Sequence, residues 1–288
     1  MFFKDIIGQD DVKRRLIESV KNGHIAHAQL FEGNDGAGAL PLALAYARYI
    51  QCTHRGEDDA CGECPSCRQM TALMHPDVHF VFPIANKKQK KEPVCDDYIA
   101  EWRNYVGETP YPSAESWQQF LATGNSQPLI YVHEAREIIR KLSLKSFESE
   151  YKIMIIWQAH LMNDACSNAI LKLLEEPFDR TLFLLVSDRP ENILETIRSR
   201  TQRIKVPPLT TDAIATRTDE GSYRYRPATR RRPRPPNSQR HCTFCLGKLP
   251  ESPRNHTTER RTGTLLRTFC YPHAASIRPT GKSTQKME

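Results

Sequence analysis

A glycine-framed loop set between an apolar strand and an apolar helix constrains this chain more than any other feature. It reads Gly33-Asn34-Asp35-Gly36-Ala37-Gly38-Ala39-Leu40, against the phosphate-binding pattern G-x-x-x-x-G-K-[ST]. Both glycine positions are kept, as Gly33 and Gly38. Ala39 stands where a lysine would reach the β- and γ-phosphates, and Leu40 where a hydroxyl would hold Mg²⁺. Apolar residues 28–31 precede the loop and residues 42–47 follow it at helical spacing, the strand–loop–helix order of a P-loop unit. The frame is that of a nucleotide-binding protein with nothing in it to pair with phosphate charge. An ordinary Gly-rich turn is the competing reading of the loop by itself.

A second departure lies farther along. Residues 152–158, Lys-Ile-Met-Ile-Ile-Trp-Gln, form a near-continuous apolar run, the pattern of a buried parallel strand. In P-loop hydrolases such a strand ends in acidic residues that hold Mg²⁺ and orient water. Trp157 and Gln158 occupy those places and carry no negative charge. Two losses in the expected order predict a P-loop-type fold without ATPase activity.

The rest of the pattern fits an α/β protein. Strands are expected at 28–32, 78–83, 152–157, 181–186 and 202–206, with helices at 10–22, 135–142 and 164–176. Their alternation predicts a parallel five-stranded sheet with helices on both faces. Residues 86–128 break the rhythm. They contain the run Lys87-Lys88-Gln89-Lys90-Lys91 and two short helical patterns, 98–106 and 116–122, carrying Trp102 and Trp117. They read as an insertion on the sheet's edge, whose lysines are better explained by a solvated loop than by nucleic-acid contact.

Charge divides the chain at about residue 216. The net charge is +7, but residues 216–288 hold 16 Lys+Arg and 5 Asp+Glu, leaving 25 and 29 for residues 1–215. The tail also holds eight of the 20 prolines and only five Leu+Ile, and includes Arg230-Arg231-Arg232-Pro233-Arg234-Pro235-Pro236. Such a segment cannot offset its ordering entropy by apolar burial, so it is expected to be disordered. No apolar run is long enough for a membrane helix and no signal-peptide pattern opens the chain, which points to a soluble, cytoplasmic protein without membrane contacts.

Cys52, Cys61, Cys64 and Cys67 are spaced C-x₈-C-x₂-C-x₂-C. Two tight C-x₂-C turns and a return ligand supply the four thiolates of a closed structural zinc site. Free or redox-active thiols are the alternative, and His54 is a poor substitute ligand. Cys95 and Cys166 stand alone and read as small hydrophobes. In the tail, Cys242 and Cys245 followed by Cys270 and His273 have the spacing of a zinc ribbon, against Pro- and Arg-rich flanks that offer little to cover a metal.

The segment Asn168-Ala169-Ile170-Leu171-Lys172-Leu173-Leu174-Glu175-Glu176-Pro177, with Phe183-Leu184-Leu185-Val186 and Ile197-Arg198-Ser199-Arg200-Thr201, resembles bacterial clamp-loader subunits. Ile6-Ile7-Gly8-Gln9, the four-cysteine insertion and His75-Pro76-Asp77 extend the likeness over about residues 1–210. These are AAA+ proteins of the DNA polymerase III holoenzyme, a DNA-directed DNA polymerase, which open the sliding clamp and place it on primed DNA. The gamma/tau members keep the loop lysine and hydrolyse ATP. This chain resembles the branch that does not, a comparatively rigid member of a five-subunit ring with gamma/tau and delta. The resemblance implies that Arg200 points into a neighbouring gamma/tau ATP site as an arginine finger, although the family's Ser-Arg-Cys is here Ser199-Arg200-Thr201. Ser187 falls where active relatives keep a γ-phosphate sensor, and Pro177 ends its helix.

On this resemblance residues 1–207 form an AAA+-like domain, with the zinc module at 52–67, and residues 208–215 begin a lid. The family then continues into a helical collar. Residues 216–288 carry no helical period, as a shifted reading frame or a diverged terminus would produce. Three functions follow as alternatives: a non-hydrolysing clamp-loader subunit, a weak AAA+ ATPase with a non-standard site, or a zinc-containing nucleic-acid binder using its basic tail.

Overall fold

In the computed structural model, residues 1–86, 91–121 and 126–210 are described, and all belong to one compact unit. The lysines at 87–90, most of the expected lid and the whole Arg/Pro-rich tail, with Cys242, Cys245 and Cys270, lie outside the described residues.

Five strands form one sheet: β1 (Ala28–Glu32), β2 (Val78–Val81), β3 (Lys152–Trp157), β4 (Thr181–Ser187) and β5 (Gln202–Lys205), in the order β2-β3-β4-β1-β5. Every pairing is parallel. β1, β3 and β4 are buried along their whole length, as expected of central strands covered on both faces, whereas edge strand β5 is largely exposed. β1 thus leaves the sheet between β4 and β5, and the glycine loop opens at its carboxyl end. This is the P-loop arrangement expected from the alternating pattern, with ligands expected beyond the carboxyl ends of the strands.

Helix α1 (Asp10–Lys21) buries Val12, Leu16, Ile17 and Val20, one stripe at three- and four-residue spacing. Helix α2 (Ala39–Gln51) is buried on every side, including Arg48 and Gln51. Short α3 (Pro65–Thr71) starts with Pro65 at its first turn and is capped by the Cys64 sulfur. Helices α6 (Val132–Ser143) and α7 (Asp164–Glu175) flank β3, and Asn163 caps α7 by accepting the Cys166 N–H at 2.8 Å. Before β3, the buried Asp77 carboxylate gathers the N–H groups of Phe147, Glu148 and Ser149 at 2.6–3.0 Å, so His75-Pro76-Asp77 pins the approach to that strand.

The insertion is part of the core. Its helices α4 (Ile99–Glu108) and α5 (Ala114–Phe120) carry Trp102 and Trp117, both 0% exposed. Trp102 stacks on Phe82 at 4.4 Å and 8°, and Trp117 meets both rings edge-on. Trp157, at the end of β3, completes the group 5.1 Å from Trp102. The indole N–H of Trp117 donates to the Pro83 carbonyl at 2.7 Å. β2 is expected to run to Pro83 but stops at Val81, because the Phe82 N–H turns to the Cys95 sulfur and Pro83 has no N–H to give. Cys95 and Cys166 are both fully buried.

Among the described residues no helix is long and apolar enough to cross a membrane. Trp102→Ala removes the ring on which the insertion rests and should destabilise the protein by about 3–5 kcal/mol in urea unfolding, the usual range for a fully buried aromatic.

Candidate functional site

The loop leaves β1 at Gly33 and enters α2 at Ala39, and each retained glycine has a packing reason. A Cβ on Gly33 would lie 3.0 Å from the Cβ and carbonyl oxygen of Val206, just beyond β5. Gly38 caps α2 at φ 93°, left-handed backbone that glycine takes without strain. A Cβ there would meet the Tyr111 ring at 3.0 Å. Both glycines are therefore needed by this chain's own side chains, whether or not a nucleotide binds.

Tyr111 comes from the insertion, between α4 and α5. Its ring lies over Gly38 and its hydroxyl accepts the Ile7 N–H at 2.8 Å. With Pro112, Trp157, Gln158 and Ser187 it closes the hollow above the loop to ≈ 20 Å³. A single water needs about 10–15 Å³, so the Tyr111 ring leaves little more than water-sized space directly over the loop.

The charge of this hollow also opposes phosphate. Among the described residues no lysine or arginine lines it, while Asp35 and Asp188 do, with the Arg189 charge near enough to act against the rise at Asp35. Partial desolvation of the Asp35 carboxyl, and then the charges of Asp188 and of Glu115 on α5, push its pKa up to about 6. Ser187, in the sensor place, is held locally: its hydroxyl meets His160 Nδ1 at 3.0 Å and accepts the Arg189 N–H at 3.1 Å. Gln158 turns the chain out of β3 at φ 54°, and its buried Oε1 has no hydrogen-bond partner.

Arg200 lies at the other end of the sheet. Ser199-Arg200-Thr201 joins α8 (Glu195–Arg198) to β5, and Gln202 registers with Gln29 near the start of β1. The loop begins four residues beyond Gln29, roughly 13 Å away at about 3.3 Å per strand residue. Arg200 Nη2 pairs with Glu175 Oε1 at 2.8 Å and Nη1 donates to the Thr196 carbonyl at 3.0 Å. Its side chain is 40% exposed.

Cys52 ends α2, and Cys61, Cys64 and Cys67 bring three more sulfurs to it, all four within 4.8 Å of one another. Sγ–Sγ separations are 3.5 Å for Cys52–Cys61 and 3.9 Å for Cys52–Cys64 and Cys61–Cys67. A tetrahedral ion with bonds of about 2.3 Å sets its sulfurs about 3.8 Å apart, so the donor set fits. None of the four is in a disulfide. The N–H groups of Cys61, Cys64 and Cys67 each point at the preceding ligand's sulfur at 3.4 Å, which favours thiolates. Burial pushes the Cys52 and Cys67 thiols up. At Cys64 burial is outweighed by hydrogen bonds from the Cys67 N–H and from Thr53, which bring it down to about 5. His54 turns to the Thr53 hydroxyl at 2.9 Å and is not one of the four. With four protein donors no position stays open for substrate.

The structure thus gathers Gly33, Gly38, Ala39, Leu40, Trp157 and Gln158 at one hollow, Cys52, Cys61, Cys64 and Cys67 at a second place, and Arg200 at a third. Sequence reasoning missed Tyr111, Asp35 and Asp188. The acidic Asp35 within the loop was a readable signal. Tyr111 had none, since it arrives from more than 70 residues away.

The fold and loop define a P-loop-type domain whose loop lacks the lysine and hydroxyl of the phosphate-binding pattern. Residues 8–210 match the protein family described as "DNA polymerase III, delta subunit". The chain belongs to this family of clamp-loader subunits, on its delta prime side. It is 28% identical, over 73% of its length, to DNA polymerase III subunit delta' of Bacillus subtilis (strain 168), covering 50% of that protein. It is 26% identical, over 75% of its length, to the tau subunit of the same organism, covering 31% of it. The chain therefore spans half or less of the length of these curated relatives. A crystal structure of a gamma subunit-related protein from Thermotoga maritima aligns with 69% of this chain and 47% of its own, at 17% identity and a TM-score of 0.42.

Asp35 supplies a test of the hollow's electrostatics. Its pKa is raised on folding from 3.8 to about 6, so the folded state is penalised as pH rises through that interval. Asp35→Asn should leave stability unchanged near pH 4 and raise it at pH 7. Because the residue is exposed overall, the gain should stay under about 1 kcal/mol. Urea midpoints at the two pH values measure it.

Proposed function

We propose that this chain is a non-hydrolysing subunit of the bacterial clamp loader, the assembly that places a sliding clamp on primed DNA. Residues 1–207 serve as its AAA+-type domain, with the zinc module at 52–67 and the insertion at about 86–128. One observation carries the reading: Tyr111 sits on Gly38, over a loop with neither lysine nor Mg²⁺ ligand and with acids at its rim. The partners in this reading are gamma/tau and delta subunits, and through them the clamp and primed DNA; similarity to proteins named as delta' and tau subunits of DNA polymerase III supports the first of these. The cytoplasm, where the replication machinery works, is the proposed location.

In this reading the chain gives rather than receives at an ATP site. Arg200 reaches a neighbouring gamma/tau subunit and sets a planar cationic fork against the charge developing on the γ-phosphate. Its position supports this, at the end of the sheet away from its own loop. Glu175 holds it meanwhile, and both partners are about 40% exposed. An exposed pair of this kind contributes under about 1 kcal/mol, so a phosphate, which takes the fork bidentately, readily displaces it. The zinc at Cys52, Cys61, Cys64 and Cys67 is structural.

Titration calorimetry with Mg·ATP should give no binding heat. Ala39→Lys alone should not restore binding, since Tyr111 still covers the loop. Measurable ATP binding by the unmodified chain would favour the weak-ATPase alternative.

In a clamp loader reconstituted with gamma/tau, delta and an intact assembly domain, Arg200→Ala should lower DNA- and clamp-stimulated ATP hydrolysis while subunits still associate. A finger in related systems contributes about 10³-fold or more, and several sites in one ring would dilute that. Hydrolysis equal to wild type would return Arg200 to an ordinary surface residue.

Metal analysis should find one zinc at the 52–67 module, and Cys64→Ser should release it and destabilise the module, because metal binding and local folding are coupled. Freshly prepared protein without zinc would contradict this.

A further inference from the structure

Arg48 is 1% exposed, in the last turn of α2. A buried guanidinium is costly unless an opposite charge accompanies it. Its Nη2 donates to the Thr71 hydroxyl at 3.1 Å, and its plane covers the Phe2 ring at 4.1 Å. Nε and Nη1 have no hydrogen-bond partner, and among the described residues Arg48 forms no ion pair. The carboxylates nearby are committed to backbone: Asp5 accepts the Phe2 N–H, and Asp59 accepts those of Lys4 and Ala60.

A cleft of ≈ 520 Å³ also borders Arg48, together with Met1, Thr71 and Arg103. Solvent does not reach Nε or Nη1, so a solute in the cleft cannot hydrogen-bond to them. Charge within the protein is the better placed, from Asp5 and Asp59 and from the cysteine module. Two threads lead from Arg48 to the cysteines. Cys52 is its i+4 neighbour and so shares its helix face. Thr71, which receives the guanidinium's hydrogen bond, donates to the Cys67 carbonyl at 2.9 Å. Burial lowers the Arg48 pKa, and Cys67 leads the groups that oppose this, ahead of Asp5, Asp59 and Cys52.

A divalent ion held by four thiolates is a dianion. We propose that Arg48 is the built-in counter-charge of this four-cysteine centre, a positioning residue that touches no substrate and holds metal and α2 together. The proposal rests on the zinc reading above. With metal bound, the guanidinium faces a centre of fixed net negative charge; without the ion that charge is no longer fixed beside it, and Asp5 and Asp59, neither of them bonded to the guanidinium, are what remains to offset its burial. Since α2 begins at the phosphate loop, the state of the metal bears on the helix that frames the hollow.

The test uses the full chain in a Cys242→Ser background, which removes a tail thiol as a source of metal. Zinc content is measured first, then the rate of zinc release to a chromogenic chelator. Arg48→Met should speed release about tenfold or more, the usual scale for residues that support metal ligands, and Arg48→Lys, which keeps the charge, should stay within about threefold of the parent. The gain in melting temperature on zinc loading should also shrink in Arg48→Met. Where Arg48→Met does not fold, Arg48→Gln, which removes the charge and keeps a hydrogen-bond donor for the Thr71 hydroxyl, should speed release about tenfold. Release unchanged in the folded variants, or melting temperature lowered equally with and without zinc, overturns the counter-charge role and leaves the zinc site standing. A parent protein without zinc overturns the zinc reading, and the proposal falls with it.

Discussion

The stack of Trp102 on Phe82, met edge-on by Trp117 and backed by Trp157, is the contact on which the rest of the arrangement depends. It joins an insertion to the carboxyl ends of β2 and β3, the side of a parallel sheet where ligands are bound. Aromatic rings of this size bury large areas and prefer the offset and edge-on geometries seen here. Once α4 and α5 are seated on those rings, the segment between them has to cross above the glycine loop, and Tyr111 lands on Gly38. The Ile7 N–H then fixes the tyrosine's hydroxyl. The closing of the hollow is thus a consequence of core packing, achieved without any residue of the loop itself.

The two ends of the sheet have opposite electrostatic character. At the carboxyl end the loop has lost its cation, and Asp35 and Asp188 with Glu115 beside them make the rim acidic. At the amino end Arg200 stands half-exposed on a weak carboxylate partner. The first end offers a phosphate acidic side chains and little room; at the second, the proposed role of Arg200 would have its guanidinium leave Glu175 and the Thr196 carbonyl. The Arg203–Glu32 pair, bidentate across β5 and β1, ties these ends through the strand that carries the loop.

Much of this was legible in the residues. The five strands appear within two residues of their expected limits, because buried parallel strands are short apolar runs with little else they can become. The cysteine spacing announced four converging sulfurs, since tight turns of two intervening residues leave few other geometries. Helix α6 begins at Val132, three residues before the apolar period suggests, because Tyr131 offers its carbonyl to the Glu134 N–H and starts the turn early. Buried Arg48 was invisible to a sequence reading, which expects arginine at the surface.

The amino-acid sequence by itself determined the class of fold, the absence of lysine, hydroxyl and acidic strand end from the phosphate-loop frame, and the set of four cysteines that converge. Each of these is a matter of residue type at local spacing. Only the tertiary structure decided that Tyr111 covers the loop, that Gly33 and Gly38 are kept for packing against Val206 and Tyr111, that Arg200 lies at the far end of the sheet, and that Arg48 is buried beside the cysteine module. Those facts depend on contacts between segments far apart in the chain, which local period and spacing do not encode; they arise when the insertion's aromatic rings and the sheet bury one another.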